Sequence, residues 1–494
     1  MARTRTSSIP ELLLTIEREG PVPLHRQLER GLQEAIRKGR LGPGATLPST
    51  RSLADELALS RGVVVEAYEQ LTAEGYLESR PGGKTRVAER AASEAGHGRQ
   101  RRGAVRDQPV SLDRAKEQAE VPDEATVLPS HAFNRLRFDF SYGRPDVTTF
   151  PRQSWLRSLR KVLNEVPSEE LAYLDGRGAI ALRQPLASYL NRVRATEASP
   201  GRVVITSGFA QAQRLVLQIL RGQGKRRIAM EDPGQMDTRR AADLVGMEVV
   251  PVPVDDEGLI VDRLAADVAL CVVTPAHHFP TGAVMSPERR AALVRWARAR
   301  DSLVLEDDYD AEYRYDREPI GAIQGLAPES VIYAGSASKT LAPGLRLGWL
   351  ILPSRLIEPF ATAKFNHDRG SPSLEQLTFA DFLVRGEFDR HLRRMRPIYR
   401  ARRDALLRAL ARHLPDVRPT GASAGLHVLA WLPEGSDEAG IVERAAQRDV
   451  AVDGLASMRV RVSAPPGLIL GYARPTAREI EEGVARLAEA VAAG

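Results

Sequence analysis

Hydrophobic residues recur every four positions near the start of the chain, which predicts an amphipathic helix. The apolar stripe consists of Leu24, Leu28, Leu32 and Ile36. A second helix is predicted after Ser49, whose hydroxyl can cap it, and a third after a tight turn that ends with Ser60 as N-cap. Short strands around residues 76–79 and 84–87, joined by the turn Pro81–Gly83, predict a wing. The pattern is that of a winged helix-turn-helix.

In such a module the third helix enters the major groove of DNA. Arg61 lies in the first turn of that helix, where it can reach a phosphate or a guanine edge, while Arg51 and Lys84 are expected to contact phosphates. Ser60 and Gly62 flank Arg61 and complete the predicted DNA contacts. A small helical domain that docks on another protein is the alternative. Cations at all three expected contact points favour double-stranded DNA.

Four segments of this module resemble the GntR-type DNA-binding domain: Pro48–Arg51, Ser60–Val64, Ala67–Leu71 and Glu74–Leu77. The resemblance covers essentially the whole module. One departure is Val63, which stands where that family often has threonine.

The periodicity disappears between about residues 89 and 137. The stretch Glu94–Gly103 is small, basic and rich in turn-forming residues, which indicates a flexible basic linker. We therefore expect three regions: a DNA-binding domain over 1–88, a linker over 89–137 and a large domain over 138–494.

Beyond Phe138, buried strands alternate with amphipathic helices, which predicts an α/β fold with a largely parallel sheet. The predicted strands are Arg202–Thr206, Arg227–Glu231, Glu248–Val252, Ala269–Thr274, Ser302–Glu306 and Ser330–Ala334. Helices such as Pro287–Arg300 lie between them, and the last hundred residues have the pattern of a smaller α+β subdomain.

Lys339 lies in a segment suited to binding pyridoxal 5′-phosphate. This aldehyde cofactor needs a lysine amine for imine formation, and its phosphate needs hydroxyls and a fixed cation. Ser336, Ser338 and Arg346 provide these groups close to Lys339. The run Ser207-Gly208-Phe209 ends a strand and opens a helix, so its backbone amides and Ser207 can also cradle the phosphate.

Two further loops supply candidate cofactor ligands. Asp307 and Tyr309 follow a strand and, by alternation, face the same side; we assign Asp307 to the pyridinium nitrogen and Tyr309 to the phenolic oxygen. An acidic loop that binds a divalent ion is the alternative. His277 and His278 are adjacent, which invites a zinc interpretation, but no cysteine or third histidine lies close in sequence. We therefore expect a cofactor-facing turn in which His277 forms a hydrogen bond, and no metal.

Together these segments resemble fold-type I aminotransferases over nearly all of residues 138–494. The resemblance implies that Lys339 is the imine lysine and that Ser336, Ser338 and Arg346 bind the phosphate. Tyr173 matches a tyrosine that reaches the cofactor phosphate of a partner subunit, which implies a homodimer. A winged helix joined by a long linker to such a domain is similar to the MocR/GabR family of bacterial regulators, which are transcription factors that bind the cofactor as a sensor.

The chain departs from these families on the substrate side. Gln235 stands where an aromatic residue usually stacks on the cofactor ring, and we expect its amide to lie on that ring. Phe279 replaces an asparagine, and Asp237 replaces an arginine that binds carboxylates in amino-acid-sensing relatives. The strand Leu468–Ala473 lacks the arginine that grips a substrate carboxylate; Arg459 or Arg461 could replace it, or could be surface charges on a strand.

We therefore hypothesise that the small-molecule effector is pyridoxal phosphate itself or an amino compound, in a regulator of vitamin B6 or amino-compound metabolism. An active aminotransferase with an appended DNA-binding module is the alternative. A protein that has lost the cofactor and only dimerises is disfavoured by the complete phosphate set.

Composition adds little to this interpretation. The net charge of +6 and pI near 9.5 are compatible with nucleic-acid binding without proving it. The single cysteine, Cys271, lies in an apolar strand and is expected to be a core residue of a protein from a reducing compartment. Met1–Arg5 lacks a signal-peptide core and no apolar run is long enough to span a bilayer, so we expect no membrane partner and a cytoplasmic, nucleoid-associated protein.

Overall fold

The chain divides into two compact units, Met1–Pro122 and Asp123–Gly494. The computed structural model describes residues 4–6, 15–17, 23–37, 41–42, 44–73, 76–78, 84–88, 136–315 and 320–493. Within these ranges, no helix combines the length and the apolar character that crossing a membrane requires.

The first unit is a helical domain with a small hairpin. Its elements are β1 (Thr4–Thr6), β2 (Thr15–Glu17), α1 (Leu24–Arg37), α2 (Thr50–Leu57), α3 (Arg61–Ala73), β3 (Leu77–Glu78) and β4 (Arg86–Val87). The predicted stripe of α1 contributes Leu28, Leu32 and Ile36 to a fully buried core. Strands β3 and β4 pair antiparallel, with Leu77 opposite Val87. The winged helix-turn-helix prediction is confirmed, while the predicted turn Pro81–Gly83 lies outside the described residues.

Capping hydrogen bonds fix where the second and third helices begin. The Ser49 hydroxyl accepts from the Ser52 amide at 3.1 Å, and the Ser60 hydroxyl accepts from the Val63 amide at 3.4 Å. The Tyr68 hydroxyl donates to Pro48 O at 3.0 Å, which ties α3 to the segment before α2. These bonds satisfy amides that a helix leaves unpaired at its start, and they orient the first turn of α3.

The second unit contains an α/β sheet and a smaller subdomain. Its elements are β5 (Phe138–Asp139), α4 (Arg152–Glu165), α5 (Ile180–Arg194), β6 (Val203–Thr206), α6 (Phe209–Gly222), β7 (Arg227–Asp232), α7 (Met236–Leu244), β8 (Glu248–Asp255), β9 (Gly258–Leu259), β10 (Leu270–Val273), α8 (Pro287–Ala299), β11 (Leu303–Asp308), β12 (Val331–Ser336), β13 (Gly348–Ile351), α9 (Ile357–Asp368), α10 (Ser373–Val384), α11 (Glu387–His413), β14 (Arg418–Thr420), β15 (His427–Trp431), α12 (Glu438–Ala446), β16 (Val450–Ala451), β17 (Asp453–Gly454), β18 (Gly467–Gly471) and α13 (Ala477–Ala492).

Eight strands form the main sheet in the order β6-β13-β12-β11-β10-β7-β8-β9. Neighbours from β12 to β8 are parallel, as predicted, whereas β13 is antiparallel to both of its neighbours. Every residue of β10 and β11 is buried, because helices cover both faces of the sheet. Cys271 lies in this buried core.

The predicted α+β subdomain is built on a four-stranded antiparallel sheet in the order β14-β15-β18-β17. Helix α13 begins with a complete capping box between Thr476 and Glu479. The short parallel pair β16–β5 joins the start of the second unit to this subdomain. The arrangement brings the loop between β14 and β15 close to the loops that leave the main sheet.

Candidate functional site

The candidate site lies at the carboxyl ends of parallel strands in the main sheet. Strands β7, β10, β11 and β12 are neighbours in the order β12-β11-β10-β7, and the loop after each carries a predicted site residue. Open α/β sheets bind their ligands at this edge, because the loops that follow adjacent strands converge there. The topology therefore brings together residues that lie far apart in the sequence, such as Gln235 and Lys339.

Lys339 lies in the turn after β12. Its Nζ donates a hydrogen bond to the carbonyl oxygen of Gly143 at 2.5 Å. Burial lowers the pKa of the Lys339 amine below its ordinary value, while the carboxylates of Asp310 and Asp307 oppose that change. A lysine with a lowered pKa carries its neutral, nucleophilic form closer to neutral pH, which is the property that imine formation requires.

Asp307 is buried in β11 beside the lysine-bearing strand. Its Oδ2 accepts a hydrogen bond from Nε2 of Gln235 at 2.9 Å. Burial raises the pKa of the Asp307 carboxyl to about 7, although the Gln235 hydrogen bond and the charge of Lys339 favour the ionised form. The Gln235 side chain thus contacts the carboxylate, which needs a donor because it is buried.

His277 forms hydrogen bonds, as the sequence predicted, and Tyr309 is one partner within a larger network. The Tyr309 hydroxyl donates to the carbonyl oxygen of His277 at 3.1 Å and lies 3.2 Å from His277 Nδ1. That nitrogen is 3.1 Å from Asp310 Oδ2, and Nε2 lies 3.1 Å from the carbonyl oxygen of Gly421. Burial opposes the charged imidazole, but the charge and hydrogen bond of Asp310, together with the Gly421 hydrogen bond, raise the pKa of His277 overall. The network links the main sheet to the loop between β14 and β15.

His427 is a third histidine near His277, which sequence spacing did not reveal. Ligand atoms of His277, Asp310 and His427 lie within 4.8 Å of one another, a spacing that could hold a metal ion. However, both nitrogens of His277 are already hydrogen-bonded, and His427 Nε2 lies 3.2 Å from the carbonyl oxygen of Pro280. We interpret the group as a hydrogen-bond network that orients Tyr309.

The predicted phosphate ligands also lie near one another. Gly208 has φ +107°, and a Cβ at this position would lie 3.1 Å from a guanidinium nitrogen of Arg346. The preceding Ser207 is half-buried, Phe209 begins α6, and the Ser207 amide donates to Gln211 Oε1 at 2.8 Å. This amide is therefore already used within the chain, whereas the exposed guanidinium of Arg346 lies beside the start of α6.

Ser336 and Ser338 are half-buried around the turn that carries the lysine. The Ser336 hydroxyl accepts a hydrogen bond from the Ser338 amide at 3.4 Å. Strand β13 pairs Gly348 with Ser336 on one side and with Thr206 on the other. This pairing brings the two serines and the β6–α6 turn to the same edge of the sheet.

Tyr173 and Arg459 differ in how free their side chains are to bind a ligand or a partner. Tyr173 is 82% exposed, so within one chain it is accessible to a partner. Arg459 is not on a strand: it follows a short 3₁₀ turn, and its guanidinium donates to the carbonyl oxygens of Ala464 and Pro465. Those bonds hold Arg459 against its own loop, so this guanidinium is already committed to backbone acceptors.

The predicted DNA-contacting residues share one property in the first unit. Each of them is solvent-exposed: Arg51, Ser60, Arg61, Gly62 and Lys84. Arg61 begins α3, and Arg51 lies in the first turn of α2. The exposed first turns of two adjacent helices thus carry cations, as phosphate contact requires.

The residues present fit pyridoxal 5′-phosphate. The buried Asp307 is suited to a pyridinium partner, the Lys339 amine to the aldehyde, and the Arg346 guanidinium to a phosphate. Gly208 leaves a space beside Arg346 that a Cβ would fill. The donor set matches each polar part of the cofactor.

Comparison with known proteins identifies both units. Residues 24–87 match the family described as bacterial regulatory proteins of the gntR family, and residues 139–487 match aminotransferase class I and II. A probable rhizopine catabolism regulatory protein, MocR of Rhizobium meliloti, is 33% identical over 97% of this chain and 96% of that protein. The pyridoxine biosynthesis transcriptional regulator PdxR of Corynebacterium glutamicum is 28% identical over 98% of this chain and all of that protein.

Among solved structures, the α-aminoadipate aminotransferase LysN of Thermus thermophilus is similar to the second unit. That structure contains N-(5′-phosphopyridoxyl)-L-leucine. It is 28% identical, with a TM-score of 0.65, and the match covers 72% of this chain and 92% of the enzyme.

Proposed function

Because the chain belongs to the aminotransferase class I and II family and also carries a gntR-family domain, we propose that it is a DNA-binding transcription regulator with pyridoxal 5′-phosphate as its sensory cofactor. The DNA-binding domain spans residues 1–88, a basic linker spans 89–137, and the cofactor-binding and dimerisation domain spans 138–494. The relatives MocR and PdxR align with nearly the whole of this chain.

One observation carries the proposal: a half-buried lysine and a buried carboxylate lie at the ends of adjacent parallel strands. Asp307 is paired with Ala334 in the register of β11 and β12, and Lys339 follows β12. When bound, the cofactor supplies an aldehyde that combines with amines and a ring that withdraws electrons. Lys339 provides the amine, and Asp307 holds a negative charge where the ring nitrogen is expected.

The remaining site residues position the cofactor and influence the protonation of the groups around it. Arg346, Ser336 and Ser338 anchor the phosphate, together with the turn at Ser207–Phe209. Tyr309, whose hydroxyl donates to the carbonyl oxygen of His277 in the cofactor-free chain, would face the phenolic oxygen. Gln235 favours the ionised form of the Asp307 carboxyl through its 2.9 Å hydrogen bond, and so supports the partner of the ring nitrogen.

The regulator acts as a homodimer on paired DNA half-sites. Support comes from exposed apolar side chains close to Tyr173, among them Leu163 and Leu171, because exposed apolar patches are common at subunit interfaces. In the dimer, Tyr173 reaches the phosphate of the partner's cofactor. Two winged helices then place two copies of Arg61 on DNA, as symmetric half-sites require.

The signal is the cofactor itself or an amino compound that binds beside it. Arg459 donates to backbone carbonyls, so it is poorly placed to clamp the carboxylate of an amino-acid substrate. This observation favours a regulatory role of the second unit rather than the turnover of an amino acid. PdxR, whose name records control of pyridoxine biosynthesis, supports a response to pyridoxal phosphate.

The absorbance spectrum of the purified chain mixed with pyridoxal phosphate tests the proposal. We expect a visible band that borohydride removes and that is absent in Lys339→Ala. Lys225→Ala, which changes an exposed lysine of the same unit, is the matched control and should keep the band. A band that survives in Lys339→Ala would contradict the assignment, and no band in the unmodified chain would refute cofactor binding.

A further inference from the structure

One wall of the space beside Lys339 is aromatic. Lys339 Nζ is bonded to the carbonyl oxygen of Gly143, which directly follows Tyr142. The ring centroid of Tyr142 lies 4.7 Å from that of Phe279. A ligand that approaches the lysine amine therefore passes an apolar surface, which suits a chain of methylene groups.

The first turn of α7 packs beside these rings. Gln235, the residue before this helix, bonds the Asp307 carboxylate, and Met236 packs with the apolar cluster that contains Phe279 and Tyr142. The next residue, Asp237, leaves its carboxylate 71% exposed. Asp237 thus lies within two residues of a side chain that contacts the proposed ring partner.

Carboxylates dominate the charge at this entrance. Asp453 Oδ2 accepts the Tyr142 amide at 3.1 Å. The pKa of the Tyr142 hydroxyl is raised, first by burial and then by the charges of Asp453 and Asp237. Asp237 also opposes the lowering of the Lys339 pKa that burial causes, so it is close enough to influence the amine. Arg240 pairs with Asp237 at 3.1 Å, and its charge opposes the effect of these carboxylates on the pKa of Tyr142.

Building on the proposed function, we infer that the cofactor-loaded chain binds a primary amine that carries a second cationic group, such as an alkane diamine. The first amine suits the site of Lys339, the methylene chain lies along Tyr142 and Phe279, and the second ammonium pairs with Asp237. An amino acid would instead bring its carboxylate towards Asp237 and Asp453, where like charges repel. Asp237 is therefore the residue that determines whether a cationic or an anionic second group is preferred on the ligand.

Three ligands of equal chain length test this inference: 1,4-diaminobutane, 1-aminobutane and 4-aminobutanoate. Each is titrated into the pyridoxal-phosphate-loaded full chain, and affinity is read from the visible spectrum and by calorimetry. We expect diaminobutane to bind most tightly and aminobutanoate least, with about a three-fold to five-fold step between the diamine and the monoamine, as an exposed ion pair provides.

Variants of α7 separate the charge from the fold. Asp237→Asn should remove the preference for the diamine over the monoamine, and Asp237→Arg should reverse the order so that aminobutanoate binds best. Arg240→Ala should strengthen diamine binding, because Asp237 loses a competing partner. Asp243→Asn is the control, since it changes an exposed carboxylate on the same helix and should leave the order unchanged.

The outcomes distinguish this inference from the function on which it rests. Three results in the unmodified chain would overturn the inference while cofactor binding stands. They are equal affinities for the three ligands, tighter binding of aminobutanoate, and no response to any of the amines. An order that persists in Asp237→Arg would show that Asp237 does not determine it. Failure of the chain to form the Lys339-dependent band would refute the proposed function itself.

Discussion

Replacing the buried Asp307 with asparagine should stabilise the cofactor-free protein and weaken its response to the cofactor. In the cofactor-free chain the Asp307 carboxylate is ionised at neutral pH only at a cost, because burial raises its pKa to about 7 from an ordinary value of 3.8. Asparagine keeps the shape and can still accept the Gln235 hydrogen bond, but it has no charge to bury.

The direction and size of the change in stability follow from the coupling between proton binding and folding. A carboxyl whose pKa is higher in the folded state than in the unfolded state costs stability as the pH rises from about 4 to about 7. Each unit of difference in pKa corresponds to about 1.4 kcal/mol, so the full cost above pH 7 is about 4 kcal/mol. Asp307→Asn should therefore be more stable than the unmodified chain by about 2–4 kcal/mol at pH 8. At pH 5 the gain should fall to less than half of that value.

Urea unfolding, monitored by tryptophan fluorescence, measures this difference in the free energy of unfolding for the second unit of the chain. All four tryptophans, Trp155, Trp296, Trp349 and Trp431, lie in the second unit. The same titrations with saturating pyridoxal phosphate should show a large stabilisation of the unmodified chain and a much smaller one of Asp307→Asn, because a ligand stabilises the state that it binds.

A destabilised Asp307→Asn in the absence of cofactor would refute the reasoning, because it would mean that the carboxylate is not buried at a cost. A gain that is independent of pH would equally contradict the assigned pKa. Asp243→Asn should show neither effect, since exposed substitutions usually change stability by less than about 0.5 kcal/mol.

Three further predictions concern DNA, protonation and the phosphate turn. Arg61→Ala should weaken operator binding by about 1–3 kcal/mol and relax specificity at one base position, whereas Lys84→Ala should weaken binding to all sequences and reduce the slope of log affinity against log salt concentration by about 1. Fluorescence anisotropy across a salt series measures both effects, and unchanged binding would show that these residues do not contact DNA. Asp310→Asn should lower the pKa of His277, because it removes a charge that raises this pKa against burial. Imidazole titration by NMR measures the shift, and an unaltered or higher pKa would contradict the network. Gly208→Ala should cost about 1–3 kcal/mol in backbone strain at φ +107° and weaken phosphate binding, as read by titration with pyridoxal phosphate; an unchanged affinity would exclude a close approach at this turn.

The strands and helices were predictable where the apolar pattern is long and unambiguous. The predicted strand at Ser302–Glu306 appears as Leu303–Asp308, and helix Pro287–Arg300 as Pro287–Ala299. Strand β13, Gly348–Ile351, was missed because four residues immediately after the Arg346 segment give too short a pattern to separate strand from loop. Its antiparallel insertion is nevertheless what brings Ser336 and Thr206 to one edge.

The candidate site was predictable where its residues follow strands, as Asp307 and Lys339 do. The partners of His277 were not, because His427 begins a strand of the small subdomain and Gly421 belongs to the loop before it. No local pattern marks such long-range partners. The Gln235 amide was expected on the cofactor ring, and its bond to Asp307 depends on the close approach of loops that follow β7 and β11, which only the folded chain reveals.

The central claim is that cofactor bound at Lys339 changes the affinity for DNA. Its most direct test is the affinity of the full-length chain for an operator selected from a random duplex library, measured by anisotropy with and without pyridoxal phosphate, beside Lys339→Ala. The account predicts that pyridoxal phosphate shifts the affinity of the unmodified chain and leaves that of Lys339→Ala unchanged. Equal affinities with and without cofactor in the unmodified chain would contradict it.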